Sequence, residues 1–109
     1  MLGIAYKKDI SDVRESPALD IMRLLLEWGA QVIYNDPHIP KLRWDSGYIE
    51  SAELTEELLQ SVNIVILLAN HSAYDYDWLA QHAPLIYDAR NAFDGIDAPE
   101  GKIATLGVK

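Results

Sequence analysis

The chain has 109 residues, which is the usual size of a single domain. Nine Lys and Arg residues against 17 Asp and Glu residues give a net charge of −8, which argues against nucleic acid or an anionic membrane as the general partner. Cysteine is absent, so these residues hold no disulfide, thiolate metal ligand or cysteine nucleophile. The longest apolar run, 64–69, is far shorter than the ~20 residues that span a bilayer, and residues 1–9 do not have the pattern of a signal peptide.

The first third of the chain predicts a strand followed by a helix. A short buried strand is predicted over 2–6. A helix is predicted over 17–28, because Ser16 is a favoured N-cap and Pro17 suits the first helical position. Gly29 is expected to end this helix.

The middle of the chain predicts a second strand over 31–35 and then a proline-containing loop over 38–47. A weak strand pattern follows at 48–51. The next helix is predicted over 56–62, with Thr55 as its N-cap. The three tryptophans, at positions 28, 44 and 78, are expected in the core or at its edge.

The clearest strand is predicted over 63–69, because its β-branched run shows no polar alternation and so indicates cover on both faces. A helix over 75–82, a buried strand over 85–87 and an edge strand over 102–106 complete the chain. Four buried runs are expected to be parallel neighbours in one sheet: 2–5, 32–34, 64–68 and 85–87. We therefore predict an α/β fold, a single-domain, three-layer Rossmann-like sandwich with a mainly parallel sheet.

Basic residues follow two of the predicted strands, at the sheet edge where parallel α/β folds bind ligands. Lys7 and Lys8 end the first strand, and Arg14 lies just before a helix N-terminus, a combination that suits phosphate. Arg90 follows the strand over 85–87 and adds another cation. The alternative for both arginines is a local ion pair, of Arg14 with Asp12 or Glu15 and of Arg90 with Asp88 or Asp94.

Other chemical motifs are missing from the sequence. The six glycines form neither a G-x-G-x-x-G fingerprint nor a P-loop. His38, His71 and His82 share no metal-ligand spacing, and no triad is evident, so we expect no metal site and no catalytic residue. The segment 70–72, Asn-His-Ser, is expected to have a capping or turn role.

The segment 2–18, LGIAYKKDISDVRESPA, resembles the opening of the C-terminal domain of the UDP-glucose/GDP-mannose dehydrogenase family. Further matching landmarks follow in order: Gly-Ala-x-Val at 29–32, Tyr-Asn-Asp-Pro at 34–37, Val-Ile-Leu-Leu at 65–68, Asn-His at 70–71 and Asp-Ala-Arg-Asn at 88–91. The resemblance covers nearly the whole chain and is greatest to the branch that acts on UDP-N-acetyl-hexosamines.

Enzymes of this family oxidise the C6 alcohol of a nucleotide sugar to a carboxylate, using two NAD⁺ in succession. They combine an N-terminal NAD-binding domain, a central helical dimerisation region and a C-terminal nucleotide-sugar-binding domain. The resemblance implies that Tyr6, Lys7 and Arg90 contact the UDP-sugar and that Arg14 reaches NAD⁺ held mainly by the N-terminal domain. It also implies a homodimeric or larger cytoplasmic enzyme that serves surface-polysaccharide precursor synthesis.

The sequence departs from the family pattern in lacking the nucleophilic cysteine and the glycine fingerprint, and its first strand starts late, at Met1. We therefore expect residues 1–109 to be the C-terminal UDP-binding domain alone, without turnover. One alternative is a stand-alone nucleotide-sugar-binding or interaction module without catalysis. A second is a receiver-like signalling domain, which would need an acidic cluster where Lys7 and Lys8 stand.

Overall fold

The computed structural model describes residues 1–105, and these form three helices and five strands. In chain order the elements are α1 (Pro17–Glu27), β1 (Lys41–Trp44), β2 (Gly47–Glu50), α2 (Glu56–Ser61), β3 (Val65–Leu67), α3 (Tyr76–His82), β4 (Ile86–Asp88) and β5 (Ile103–Thr105). Within residues 1–105, every helix is too short or too polar to cross a membrane. The predicted last strand is confirmed as β5, and position 106 of that prediction lies outside the described residues.

A parallel sheet forms the centre of the fold, with β4 between β3 and β5. Leu2 extends this sheet, because it forms parallel bridges with Leu67 on one side and Asn35 on the other. Its amide donates to the carbonyl of Ile66 at 2.8 Å, and its carbonyl accepts from the amide of Leu68 at 2.9 Å. The order across the sheet is therefore Asn35, Leu2, β3, β4, β5, which confirms the predicted parallel arrangement.

The two strands predicted over 2–6 and 31–35 are each reduced to a single bridge, at Leu2 and at Asn35. Gly3 has a φ of 81°, which takes the backbone out of the extended conformation directly after Leu2. On the other side of this bridge, the amide of Asn35 donates to the carbonyl of Met1 at 2.9 Å, and the amide of Gly3 donates to the carbonyl of Asn35 at 2.9 Å. Both strand predictions are correct in place and direction but too long.

A hairpin of β1 and β2 stands where a loop was predicted over 38–47. That prediction is wrong over β1, whereas the weak strand pattern at 48–51 is confirmed as β2, shifted by one residue. The Leu42 side chain is buried between two exposed neighbours, but an alternation of four residues was too short to outweigh the nearby prolines. Asp45 adopts a φ of 53° in the two-residue turn, the left-handed conformation that such hairpin turns use.

Helices α1 and α2 begin where the sequence predicted, and α3 begins one residue later, after its N-cap Asp75. The Ser16 hydroxyl accepts a hydrogen bond from the Ala18 amide, Pro17 opens α1, and Gly29 follows its C-cap with a φ of 91°. The Thr55 hydroxyl likewise accepts from the Leu58 amide at the start of α2. Each cap satisfies an amide that has no partner within its own helix.

The apolar core lies on both faces of the sheet, which confirms the three-layer prediction. Side chains of α2, α3, β3 and β4 form one cluster: Leu59, Leu79, Ala80, Val65, Leu67 and Ile86. Side chains of α1, β1 and the segments around Ile4 and Tyr34 form the other: Ala18, Met22, Leu42, Ile4, Ala5 and Tyr34. Leu67 belongs to the first cluster and Leu68 packs on the second, as alternation along a strand requires.

The tryptophans divide between the core edge and solvent. Trp44 and Trp78 are half-buried and pack against the two core clusters, as predicted. Trp28 is 76% exposed, so its predicted core position is wrong. It occupies the C-cap of α1, at the end of that helix.

Candidate functional site

The loops at the carboxyl ends of the parallel strands meet at one edge of the sheet. They follow Leu2, Asn35, β3 and β4, and the parallel pairing makes all four leave in the same direction. The structure thereby brings Tyr6, Lys7 and Arg90 to this edge. We call it the carboxyl edge, defined by residues 6–9, 36–38, 70–72 and 89–91.

Tyr6 and Lys7 present an aromatic ring and an ammonium group side by side. The Lys7 Nζ lies 5.6 Å from the centroid of the Tyr6 ring, within the range of a cation–π contact. Both side chains are exposed, Tyr6 by 41%. The amide of Tyr6 donates to the carbonyl of Asp12 at 2.7 Å, which closes the loop behind the two side chains.

Arg90 is held at the carboxyl edge by backbone groups. Its Nε donates to the carbonyl of Leu68 at 2.7 Å, and its amide donates to the carboxylate of Asp88 at 3.0 Å. Within residues 1–105 its guanidinium makes no ion pair, so the expected alternative with Asp88 or Asp94 is not formed. Asp88 is buried and instead accepts from the amides of Ala92 and Phe93, which shapes the loop that carries Arg90.

Arg14 forms the local ion pair that was its alternative role. Its Nη2 and Nε lie 2.9 and 3.1 Å from the two carboxylate oxygens of Asp12, while the Arg14 side chain stays 87% exposed. These hydrogen bonds lower the pKa of the Asp12 carboxyl and raise that of the Arg14 guanidinium. The ion pair uses only two of the five N–H donors of Arg14, so an anionic ligand could bind the others or replace Asp12.

A buried carboxylate, Asp36, ties the first strand to the neighbouring loops. Its Oδ2 accepts from the amides of Ile4 and Ala5 at 2.8 and 3.0 Å, and its Oδ1 accepts from the amide of His38 at 2.8 Å. The same Oδ2 lies 3.0 Å from Nε2 of His71, and both residues are inaccessible to solvent. No local pattern in the sequence indicates this pair; its only signal is that both residues follow predicted strands.

Asp9 connects the first loop to the loop after β3. Its amide donates to Nδ1 of His71 at 2.7 Å. Its carboxylate accepts from the hydroxyl and the amide of Ser72, at 2.7 and 2.8 Å, and these two bonds hold the pKa of Asp9 below its usual value. The segment 70–72 enters a turn in which the Tyr74 amide donates to the His71 carbonyl at 3.3 Å, in line with the turn role predicted for it. The buried bridging role of the His71 ring was not predicted.

Asp9, His38 and His71 also form the one group of potential metal ligands found within residues 1–105. The Asp9 Oδ1 lies 3.8 Å from Nε2 of His38 and 3.7 Å from Nδ1 of His71. The lone pair of that Nδ1 already accepts the Asp9 amide, so a cation would have to displace the backbone of the loop. The three residues lie on separate loops, which is why the sequence showed no ligand spacing.

The fold and the carboxyl edge define a class: a parallel α/β domain with exposed cations where such sheets bind nucleotides. Residues 1–95 match the model of the UDP-glucose/GDP-mannose dehydrogenase family, UDP binding domain, and the chain belongs to this family. The resemblance stated from the sequence is confirmed, and the receiver-like alternative is wrong.

Known relatives carry names from the same family. The chain is 32% identical over 74 residues to UDP-N-acetyl-D-mannosamine dehydrogenase from Escherichia coli K12, covering 66% of this chain and 17% of that protein. It is 35% identical over 75 residues to NDP-N-acetyl-D-galactosaminuronic acid dehydrogenase from Ralstonia solanacearum, with coverage of 66% and 17%. The structure of UDP-N-acetyl-mannosamine dehydrogenase from Staphylococcus aureus superposes with a TM-score of 0.73 and 25% identity, over 97% of this chain and 25% of that one. The chain thus spans only about a sixth of these two curated relatives.

Proposed function

We propose that residues 1–109 are the UDP-sugar-binding domain of an NAD-dependent nucleotide-sugar 6-dehydrogenase, with Tyr6, Lys7 and Arg90 as contacts to the UDP moiety. The observation that carries this proposal is the placement of the three side chains at the carboxyl edge, together with a guanidinium that makes no ion pair within residues 1–105. The family match supports the same ligand class.

The chemistry of the three side chains suits a nucleoside diphosphate. Lys7 supplies a point charge for a phosphate oxygen, and Arg90 supplies a planar fork that can bind two oxygens at once. The exposed ring of Tyr6 offers a face against which a planar base or a sugar can pack. In a chain with a net charge of −8, such a group of cations marks a local site for an anion.

The parent reaction converts the C6 alcohol to a carboxylate by two hydride transfers, with water supplying the second oxygen. This chain supplies neither a cysteine nucleophile nor a dinucleotide fingerprint. We therefore assign the nucleophile and the NAD⁺-binding fingerprint to the N-terminal and central domains of the parent enzyme. Arg14 fits a contact to NAD⁺ held mainly there, because its guanidinium is exposed and can exchange Asp12 for a phosphate. The proposal extends to a homodimeric or larger parent, working in the cytoplasm on surface-polysaccharide precursors.

The test is a titration of the ¹⁵N-labelled chain with UDP, followed by nuclear magnetic resonance. We expect saturable shifts centred on residues 6–8 and 90, with a dissociation constant of ~1 mM because one domain leaves much of the ligand in water. Lys7→Ala and Arg90→Ala should each weaken binding. Lys41→Ala is the matched control, since Lys41 lies 5.6 Å from the Tyr48 ring as Lys7 does from Tyr6, but on the hairpin.

Three results would contradict the proposal. One is the absence of saturable shifts at the carboxyl edge at UDP concentrations well above the expected constant. Another is saturable shifts centred on the opposite edge, around Ile33 and Ile64. The third is an equal loss of affinity in Lys41→Ala and Lys7→Ala. The DNA upstream of the Met1 codon tests the stand-alone alternative, because a continuous frame encoding the glycine fingerprint and a cysteine would exclude it.

A further inference from the structure

The buried ring of His71 links two loops of the carboxyl edge. Its Nδ1 accepts from the Asp9 amide, and its Nε2 faces the Asp36 carboxylate. Among the hydrogen bonds of residues 1–105, no other side chain contacts both groups. We propose that His71 is a positioning residue that holds the loop carrying Tyr6 and Lys7 in its ligand-binding conformation. This inference rests on the function proposed above, because it assumes that this loop binds the UDP moiety.

The hydrogen-bond network determines which nitrogen of His71 carries the proton. A backbone amide can only donate, so Nδ1, which lies 2.7 Å from the Asp9 amide, must offer its lone pair. The ring proton then lies on Nε2, which faces the Asp36 carboxylate at 3.0 Å. Asp36 thus fixes the tautomer that allows His71 to accept from Asp9.

A second set of hydrogen bonds, between Asp9 and Ser72, holds the same loop. The Asp9 carboxylate accepts from both the amide and the hydroxyl of Ser72, the residue next to His71. Asp9 has a φ of 61°, a left-handed conformation that is uncommon for residues other than glycine, although aspartate adopts it more readily than most. Three hydrogen bonds, to His71 and Ser72, hold Asp9 in this conformation; we call them the Asp9 clamp.

The Asp9 clamp affects ligand binding because it reduces the conformational entropy of the loop before the ligand arrives. Lys7 and Tyr6 lie two and three residues before Asp9, and both side chains are exposed. A ligand that binds a mobile loop must order it, and this cost lowers the affinity, whereas a loop fixed in advance avoids the cost. Loss of the Nδ1 acceptor should therefore weaken UDP binding without removing any group that touches UDP.

The first experiment needs no variant and no ligand. We expect the ¹⁵N resonances of the His71 ring to show the neutral tautomer protonated on Nε2, and the Asp9 amide to be protected from hydrogen exchange. A proton on Nδ1, or an Asp9 amide that exchanges as fast as an unbonded loop amide, would overturn the clamp.

The second experiment compares two amide substitutions of the same buried ring. In His71→Asn the side-chain oxygen can occupy the place of Nδ1 and still accept from Asp9, whereas in His71→Gln the amide reaches the place of Nε2 and serves Asp36 alone. We expect the Gln variant to bind UDP about fivefold more weakly than the Asn variant, the effect of one lost hydrogen bond. Equal affinities in two folded variants would refute the positioning role.

Ser72→Ala covers the case in which a His71 variant does not fold, since Ser72 is exposed and its hydroxyl bonds Asp9 alone. We expect faster exchange of the Asp9 amide and weaker UDP binding, and no change in either would overturn the inference. Failure of the proposed function gives a different result. The unmodified chain would then not bind UDP in the titration, whereas the ¹⁵N resonances of His71 would still show whether the Asp9 clamp is formed.

Discussion

Replacing Gly3 with alanine should destabilise the fold more than its small size suggests. Gly3 has a φ of 81°, and an added Cβ would lie 2.6 Å from the Cβ of Ala69 and 2.7 and 2.8 Å from its carbonyl oxygen and amide nitrogen. The positive φ costs an alanine about 1–2 kcal/mol. Overpacking against neighbouring backbone costs about 1–3 kcal/mol more. The free energy of unfolding should therefore fall by about 2–5 kcal/mol, a large share of the usual ~5–15 kcal/mol.

Gly95→Ala is the matched control, because Gly95 also has a φ of 81° but has no atom within 4 Å of an added Cβ. Gly95→Ala should lower the free energy of unfolding by only about 1–2 kcal/mol, the cost of a positive φ for alanine. Alanine also restricts the unfolded chain, but equally in both variants, so this contribution cancels in the difference. The assay is urea unfolding of both variants followed by far-ultraviolet circular dichroism.

Equal losses in Gly3→Ala and Gly95→Ala would refute the reasoning, since the contact with Ala69 would then cost nothing. The double variant Gly3→Ala, Ala69→Gly adds a further test. It removes the side-chain contact at 2.6 Å but leaves both backbone contacts, so stability should recover only in part. Full recovery would show that the backbone of residue 69 can move aside.

Three further outcomes follow from the structure. Ser16→Ala should lower the free energy of unfolding by about 1–2 kcal/mol, because the Ser16 hydroxyl caps α1 at Ala18 and also donates to the buried carbonyl of Ile4 at 2.8 Å. Ser72→Ala should raise the pKa of Asp9, whose lowering is due first to the Ser72 hydroxyl; a ¹³C titration of the carboxyl measures it. The purified chain should not reduce NAD⁺ with any UDP-sugar, as followed by NADH absorbance, because it has no cysteine.

Each of these has an outcome that would contradict it. For Ser16, the exposed Ser46 is the control, and equal effects of the two alanine variants would show that the cap contributes nothing. For Asp9, a lowered native pKa means that its carboxylate stabilises the fold above the unfolded-state pKa, and that this is lost as the pH falls through the native value. An unchanged Asp9 pKa in Ser72→Ala would contradict the assignment. Steady NADH formation by the chain alone would contradict the proposed division of the enzyme.

Some features of this domain could be predicted because they depend on neighbours in the sequence. Ser16, Pro17 and Gly29 define α1 through capping and backbone preferences that act within a few residues. The apolar run around β3 indicated a strand covered on both faces, and such strands imply parallel neighbours. The positions of Tyr6, Lys7 and Arg90 at one edge follow from that topology, since each lies beyond the carboxyl end of its strand.

Other features depended on contacts that no local pattern contains. The hairpin of β1 and β2 is stable because Leu42 packs into the core formed with α1, although its own alternation is only four residues long. The strand over 2–6 ends early because the backbone leaves the extended conformation at Gly3, whose φ is 81°. Ala69 of the neighbouring segment also lies too close to this position for any side chain.

The hydrogen-bond network of Asp9, Asp36 and His71 at the carboxyl edge depends on the tertiary structure alone. Asp9 is 62 residues from His71 in the chain, and Asp36 is 35 residues from it. Each of these three residues could equally serve as a turn or capping residue within its own loop. The sequence therefore gives no reason to expect that they share one hydrogen-bond network. Only the packing of the parallel strands brings their loops together and buries the side chains of Asp36 and His71. In that buried space an unpaired carboxylate or imidazole would be costly, so Asp36 and His71 bond to each other and to nearby amides, that of Asp9 among them.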